Sequence, residues 1–188
     1  MFISSISFAA LSLLGSASAL ATRDAPDVNE EFGLYAYGAS IGGLSLFYAE
    51  GKAMIGDPSN STAADAAPVS FTRASASSSS SWIANPNVTT ASANSSYSWS
   101  DEMLYIPSSS SSSHEMGFTS KKMANESTTG FIFYGQWVMV ENDSGDISSS
   151  FYIRSSSAGE GVYSLVWNVT DDDTAIPISL RSAKPSNS

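Results

Sequence analysis

The chain has 188 residues, no cysteine and a formal net charge of −10. Thiolate catalysis, zinc–thiolate sites and disulfide stapling are excluded, and nucleic acid or anionic membrane surfaces would be repelled. Lys121-Lys122 is the only adjacent pair among eight basic residues, so the acidity reads first as solubility, or else as attraction to cationic polymers such as chitosan.

At the N-terminus, residues 2–14 are apolar and serine-dotted, with no charged side chain before Arg23. Ala17-Ser18-Ala19 then places small residues where a signal peptidase reads, predicting a signal peptide over 1–19; Ala19-Leu20-Ala21 offers a second cut. The apolar run is shorter than the roughly 20 residues a membrane span needs. Residues 20–188 are therefore expected as one exported domain with no membrane attachment after cleavage. The polar tail, 181–188, lacks the hydrophobic run of a lipid-anchor signal.

Asn60, Asn87, Asn94, Asn125, Asn142 and Asn168 each open an N-x-S/T triplet without a middle proline. That is more than chance would give, and it predicts N-glycosylation in a eukaryotic extracellular setting.

The body reads as all-β, since short aromatic and β-branched runs alternate with Gly, Ser, Asn and Asp clusters. Strands are expected near 32–37, 44–49, 52–55, 69–72, 103–106, 130–134, 136–141, 149–154, 162–169 and 176–181. Three turn signals, at 142–146, 158–161 and 171–173, predict an antiparallel meander in the C-terminal half. A glycan on Asn168 would turn Val162, Ser164 and Val166 to solvent and Tyr163, Leu165, Trp167 and Val169 inward. Ile176, Ile178 and Leu180 alternate with Pro177, Ser179 and Arg181, and Pro177 suits a sheet edge or a strand start. The run 131–140 is apolar on both faces and is expected to be central and covered twice. Serine runs at 75–81 and 108–113 predict low-complexity insertions near 75–96 and 108–113. The expected fold is an antiparallel β-sandwich or closed β-barrel, with a β-trefoil as the alternative.

No constellation points firmly to catalysis. His114 follows a serine run, but neighbours in one loop cannot hold a nucleophile, a base and an orienting group in place. Asp101-Glu102, Glu50, Asp57, Glu141 and Glu160 could supply a carboxylate pair for glycoside hydrolysis, Glu50 with Glu102 being the example, although spacing selects none. Asp171-Asp172-Asp173 and 142–146 lack a calcium-loop pattern. The glycine-rich 38–43 lacks the Lys-Ser/Thr of a phosphate loop and reads as a β-connection. No cofactor or metal is expected. Among the aromatics, Trp137 and Trp167 lie inside strands and are expected in the core. Trp82, Trp99 and Tyr97 sit in polar surroundings and could stack on a sugar ring; the preferred reading is that the two indoles fold back to plug the end of the core.

The stretches Phe32-Gly33-Leu34-Tyr35-Ala36-Tyr37-Gly38, Ile41-Gly42-Gly43-Leu44, Leu46-Phe47-Tyr48-Ala49-Glu50-Gly51-Lys52-Ala53 with Ile55-Gly56-Asp57, and Gly161-Val162-Tyr163-Ser164-Leu165-Val166-Trp167-Asn168 resemble a group of uncharacterised secreted or cell-wall-type proteins of filamentous ascomycete fungi. The resemblance covers most of the folded part outside the serine-rich middle. It implies a fungal, extracellular origin and carries over no catalytic residue. The expected function is a non-catalytic secreted fungal glycoprotein of the cell wall or extracellular surface. A carbohydrate-binding module using Trp82, Trp99 and Tyr97, or a glycan-active enzyme with paired carboxylates, are the alternatives. The expected partner is cell-wall polysaccharide, and nothing in the sequence sets an oligomeric state.

Overall fold

The computed structural model describes residues 24–89 and 97–186; the expected leader and Asn94 lie outside them. Fourteen strands follow one another: β1 (Tyr35–Gly38), β2 (Ile41–Ala49), β3 (Lys52–Ile55), β4 (Ala67–Arg73), β5 (Trp82–Pro86), β6 (Glu102–Pro107), β7 (Gly117–Thr119), β8 (Glu126–Ser127), β9 (Phe131–Tyr134), β10 (Trp137–Glu141), β11 (Ile147–Ser148), β12 (Phe151–Ser155), β13 (Tyr163–Trp167) and β14 (Ile176–Arg181). The expected all-β barrel is what forms. Ten strands close a circuit in the order β1-β2-β4-β5-β6-β7-β3-β13-β12-β14, with β14 pairing back onto β1.

The β2–β3 pairing crosses that circuit. It divides it into two rings sharing one hairpin, β2-β4-β5-β6-β7-β3 and β1-β2-β3-β13-β12-β14. The hairpin turns at Glu50-Gly51, between the paired Ala49 and Lys52. Both turn residues have positive φ, 51° and 75°, the conformation whose twist matches that of the flanking strands. Alternation then splits the hairpin between two cores. Leu46, Tyr48, Ala53 and Ile55 enter the main cluster, which runs through both rings. Phe47, Ala49 and Met54 enter a second cluster with Val162, covered by Ala63, Ala66 and Ala158 from the flanking loops.

Neighbouring segments grip the turn through its backbone. Phe118 N donates to Gly51 O at 2.8 Å and Ala53 N to Met116 O at 3.1 Å. Glu50 N donates to Asp65 Oδ1 at 3.0 Å. Gly117 lets β7 approach this closely, because a Cβ there would stand 2.5 Å from Gly51 O and 2.7 Å from the Tyr105 hydroxyl.

Four expectations change. The segment near 75–96 is not wholly an insertion, since Trp82–Pro86 pairs in register with 69–73 of β4. Its inward residues, Trp82 and Ala84, bury like those of its neighbour. The run 131–140 is not covered twice: β9 pairs only with β10, and Tyr134 and Trp137 are exposed. The C-terminal half is not a simple meander, because β14 pairs with β12, β1 and β10 and not with β13; Pro177 sits at its start, opposite Tyr152. Asn168 is exposed, but it lies beyond β13 at φ 51°, so it does not report the strand's facing. Val162 and Val166 are buried, and Val166 also forms an antiparallel bridge to Glu115.

Gly117→Ala is expected to cost about 1–3 kcal/mol through overpacking against the hairpin turn. Gly42→Ala, where a Cβ meets nothing within 4 Å, should leave stability nearly unchanged. Urea denaturation of the two variants checks this.

Candidate binding face

The sequence-selected aromatics are brought together, but inside the protein. Trp82 is 1% exposed and Trp99 6%, so neither offers a free ring face. Phe133 stacks on Trp82 at 4.7 Å, with Phe32 and Phe131 on other sides. Trp99 stacks on Tyr48 at 4.0 Å and 15°, and its Nε1 donates to Asp65 O at 3.3 Å. Tyr97 is half-buried, 6.4 Å from Trp99. The exposed-platform reading of Trp82 and Trp99 is therefore corrected in favour of the core plug: Phe32, Phe131 and Phe133 pack around Trp82, and Tyr48 and Phe118 around Trp99.

The charges of Asp65, Glu102 and Glu50 bear on one hydroxyl, that of Tyr48. Burial raises the Tyr48 phenol, and the charges of these carboxylates raise it further. The ring face beside them is already occupied by Trp99. His114 is exposed, its Nδ1 lies 3.0 Å from Trp167 O, and its backbone oxygen accepts from Trp167 N at 2.8 Å. It extends the sheet at β13 instead of serving a serine. Among the described residues no group of three His, Asp or Glu could hold a metal ion, and no helix is long and apolar enough to cross a membrane. An open groove of about 1020 Å³ runs between the second serine run and the β10–β11 turn, with Trp167 and the sequon residues Asn142 and Asn168 on its wall. Trp167, expected in the core, is half-buried, with Phe151 edge-on at 4.9 Å.

The exposed aromatics are elsewhere. Trp137, also expected in the core, is 40% exposed, and Tyr134 is 78% exposed. Val138 and Val140 take the inward positions of β10, and alternation sends Trp137 outward. Register then builds a row across four strands: Tyr35 opposite Arg181, Arg181 opposite Trp137, Trp137 opposite Tyr134. Directly opposed residues share one face of a sheet. The Arg181 guanidinium lies 3.6 Å over the Trp137 ring and 4.9 Å from the Tyr37 ring. Tyr37 is held by its hydroxyl donating to Ala183 O at 2.9 Å, and Ser182 N donates to Gln136 O at 3.0 Å. Arg181 takes no part in the two ion pairs among the described residues, Lys52–Glu115 and Arg154–Asp172. The row joins flat rings, phenol hydroxyls and one cation.

Sequence reasoning missed this face. The alternation along 176–181 already turned Arg181 outward; that Arg181 lies between Tyr35 and Trp137 depends on pairings between segments far apart in the chain.

Compared with known proteins, the chain matches no family model, no curated protein and no solved structure.

Burial raises the carboxyls of Glu102 and Glu126 above their ordinary 4.5. A carboxyl raised in the folded state favours folding below its unfolded value and loses that contribution as pH rises through the folded one. Glu102→Gln and Glu126→Gln should therefore raise the melting temperature at pH 7. They should also flatten the stability gain seen as pH falls from neutral toward 4.5. Asp57 acts oppositely at lower pH: hydrogen bonds from Ser59 hold it below 3.8, so its contribution is present above that value and lost on further acidification. Melting temperatures of wild type and both variants from pH 3 to 7 test these signs.

Proposed function

We propose that this chain is a non-catalytic secreted fungal glycoprotein working at the cell wall or extracellular surface. The observation that carries the reading is the placement of the sequons. Asn60, Asn125, Asn142 and Asn168 are exposed and Asn87 is half-exposed, so glycans could be carried without opening the core. Asn142 and Asn87 also organise turns. Asn142 Oδ1 accepts from Ser144 N and Asp146 N, both at 2.9 Å, and Asn87 Oδ1 accepts from Thr89 N at 3.1 Å. The leader-like N-terminus fits export, and without cysteine the exported domain would be stabilised by its core alone. The filled interior supports a function at the surface: Trp82, Phe71, Phe131, Leu104 and Ile153 are among its fully buried side chains.

Expression of the full chain in a filamentous fungus tests this. The protein should reach the medium and wall fraction, and endoglycosidase should lower its apparent mass. Asn60→Gln, Asn125→Gln and Asn168→Gln should each remove one glycan step. Retention inside the cell with no mass shift would overturn the proposal.

A further inference from the structure

We infer that the row Tyr35–Arg181–Trp137–Tyr134 is a binding site for a neutral polysaccharide chain lying across the strands; this rests on the proposal that the protein works at a wall or extracellular surface. Tyr134, Trp137 and Arg181 belong to strands whose inward residues fill the core, so their positions are set by the barrel and not by a mobile loop. Strands stand about 4.8 Å apart, so three steps give a stripe about 14 Å long. That suits several rings of a polymer better than one free sugar.

The chemistry selects a sugar chain. Trp137 and Tyr134 offer amphipathic rings for C–H faces. Tyr35 stands one step from Arg181, and Ser45 and Ser179 lie opposite Tyr35 and Tyr37, so hydroxyls accompany the rings. The Arg181 guanidinium lies against the Trp137 and Tyr37 rings with its Nε buried, which leaves its terminal amino groups to meet sugar oxygens. Stacking also fixes this long side chain beforehand, which lowers the ordering cost of binding. Charge selects a neutral chain over an acidic one. The net charge of −10 repels polyanions, and one arginine does not reverse that field. Trp137 is the exposed one of the four tryptophans, so a fluorescence change on binding that is lost in Trp137→Phe reports on this face.

The secreted, glycosylated protein should be incubated with insoluble β-glucan, chitin, cellulose and polygalacturonate at low and high salt. Soluble oligosaccharides of the neutral polymers should be titrated in parallel against tryptophan fluorescence. Retention on a neutral polymer that survives high salt is expected. Tyr134→Ala and Trp137→Ala should each weaken it tenfold or more at unchanged melting temperature, and Trp137→Phe should restore part of it. Because Tyr134 is 78% exposed, its truncation separates lost binding from lost folding. Undiminished retention in both alanine variants would overturn the site while leaving wall association intact. Retention on polygalacturonate alone, abolished by salt, would overturn the neutral-ligand assignment. No retention of the wild type would overturn the site as well; whether the tagged protein still fractionates with the wall then decides the fate of the underlying proposal separately.

Discussion

The barrel depends on one hairpin being buried on both faces. β2 and β3 carry apolar residues at successive positions because each face has its own core to fill. Leu46, Tyr48, Ala53 and Ile55 serve one, and Phe47, Ala49 and Met54 the other. One edge of the hairpin takes β1 and then β4; the other takes β13 and then β7. A flat sheet would leave these four strands as free edges, with unpaired backbone groups. Here each continues into a ring that returns to the hairpin. β4 and β7 flank the hairpin at its Glu50-Gly51 end, and β7 comes so close to Gly51 that a single added methyl at Gly117 has no room.

Closure also accounts for how a chain without disulfides can hold long polar loops. The serine-rich segments leave and re-enter at strands already paired on both sides. Asn60 O and Gly159 approach so closely that a side chain could not fit at Gly159, where a Cβ would stand 1.9 Å from that oxygen. Thr62 N donates to Ala158 O at 2.7 Å. The two loops are thereby tied together over the outer core, and Asn60 stays on the surface.

Much of the fold was legible because local patterns coincided with tertiary demands. The strands 52–55 and 176–181 come out with the expected bounds, each flanked by its own turn signals. The short strands β7, β8 and β11 were not legible: two or three residues carry no periodicity, and their pairing comes from the partner. β5 was hidden by the serines before it and the sequons after it, although Trp82 and Ala84 alternate as any half-buried strand does. The run 131–140 misled for the opposite reason. Its continuous apolarity reads as a doubly covered strand, yet only Phe131, Val138 and Val140 are deeply buried, and the outward residues form a surface. The candidate site was illegible for the same reason. Trp137 in an apolar strand looked like core, while the polar surroundings of Trp82 and Trp99 left exposure open as an alternative to the core plug that forms; burial follows facing and pairing, not neighbourhood.

The stacking of Arg181 bears on how such an aromatic face can stay open on the barrel surface. Bare Trp137 and Tyr134 at a hairpin end would be an apolar patch of the kind that drives association. With the guanidinium lying over the indole, one ring face is used inside the molecule and a cation is placed where a second copy would bring its own. Two such faces meeting head-on would oppose like charges and bury two guanidiniums without carboxylates, which is costly. A neutral ligand with hydroxyl edges meets no such penalty. On the inferred reading, the side chain that stacks on the platform would disfavour self-association there and leave it to an uncharged partner.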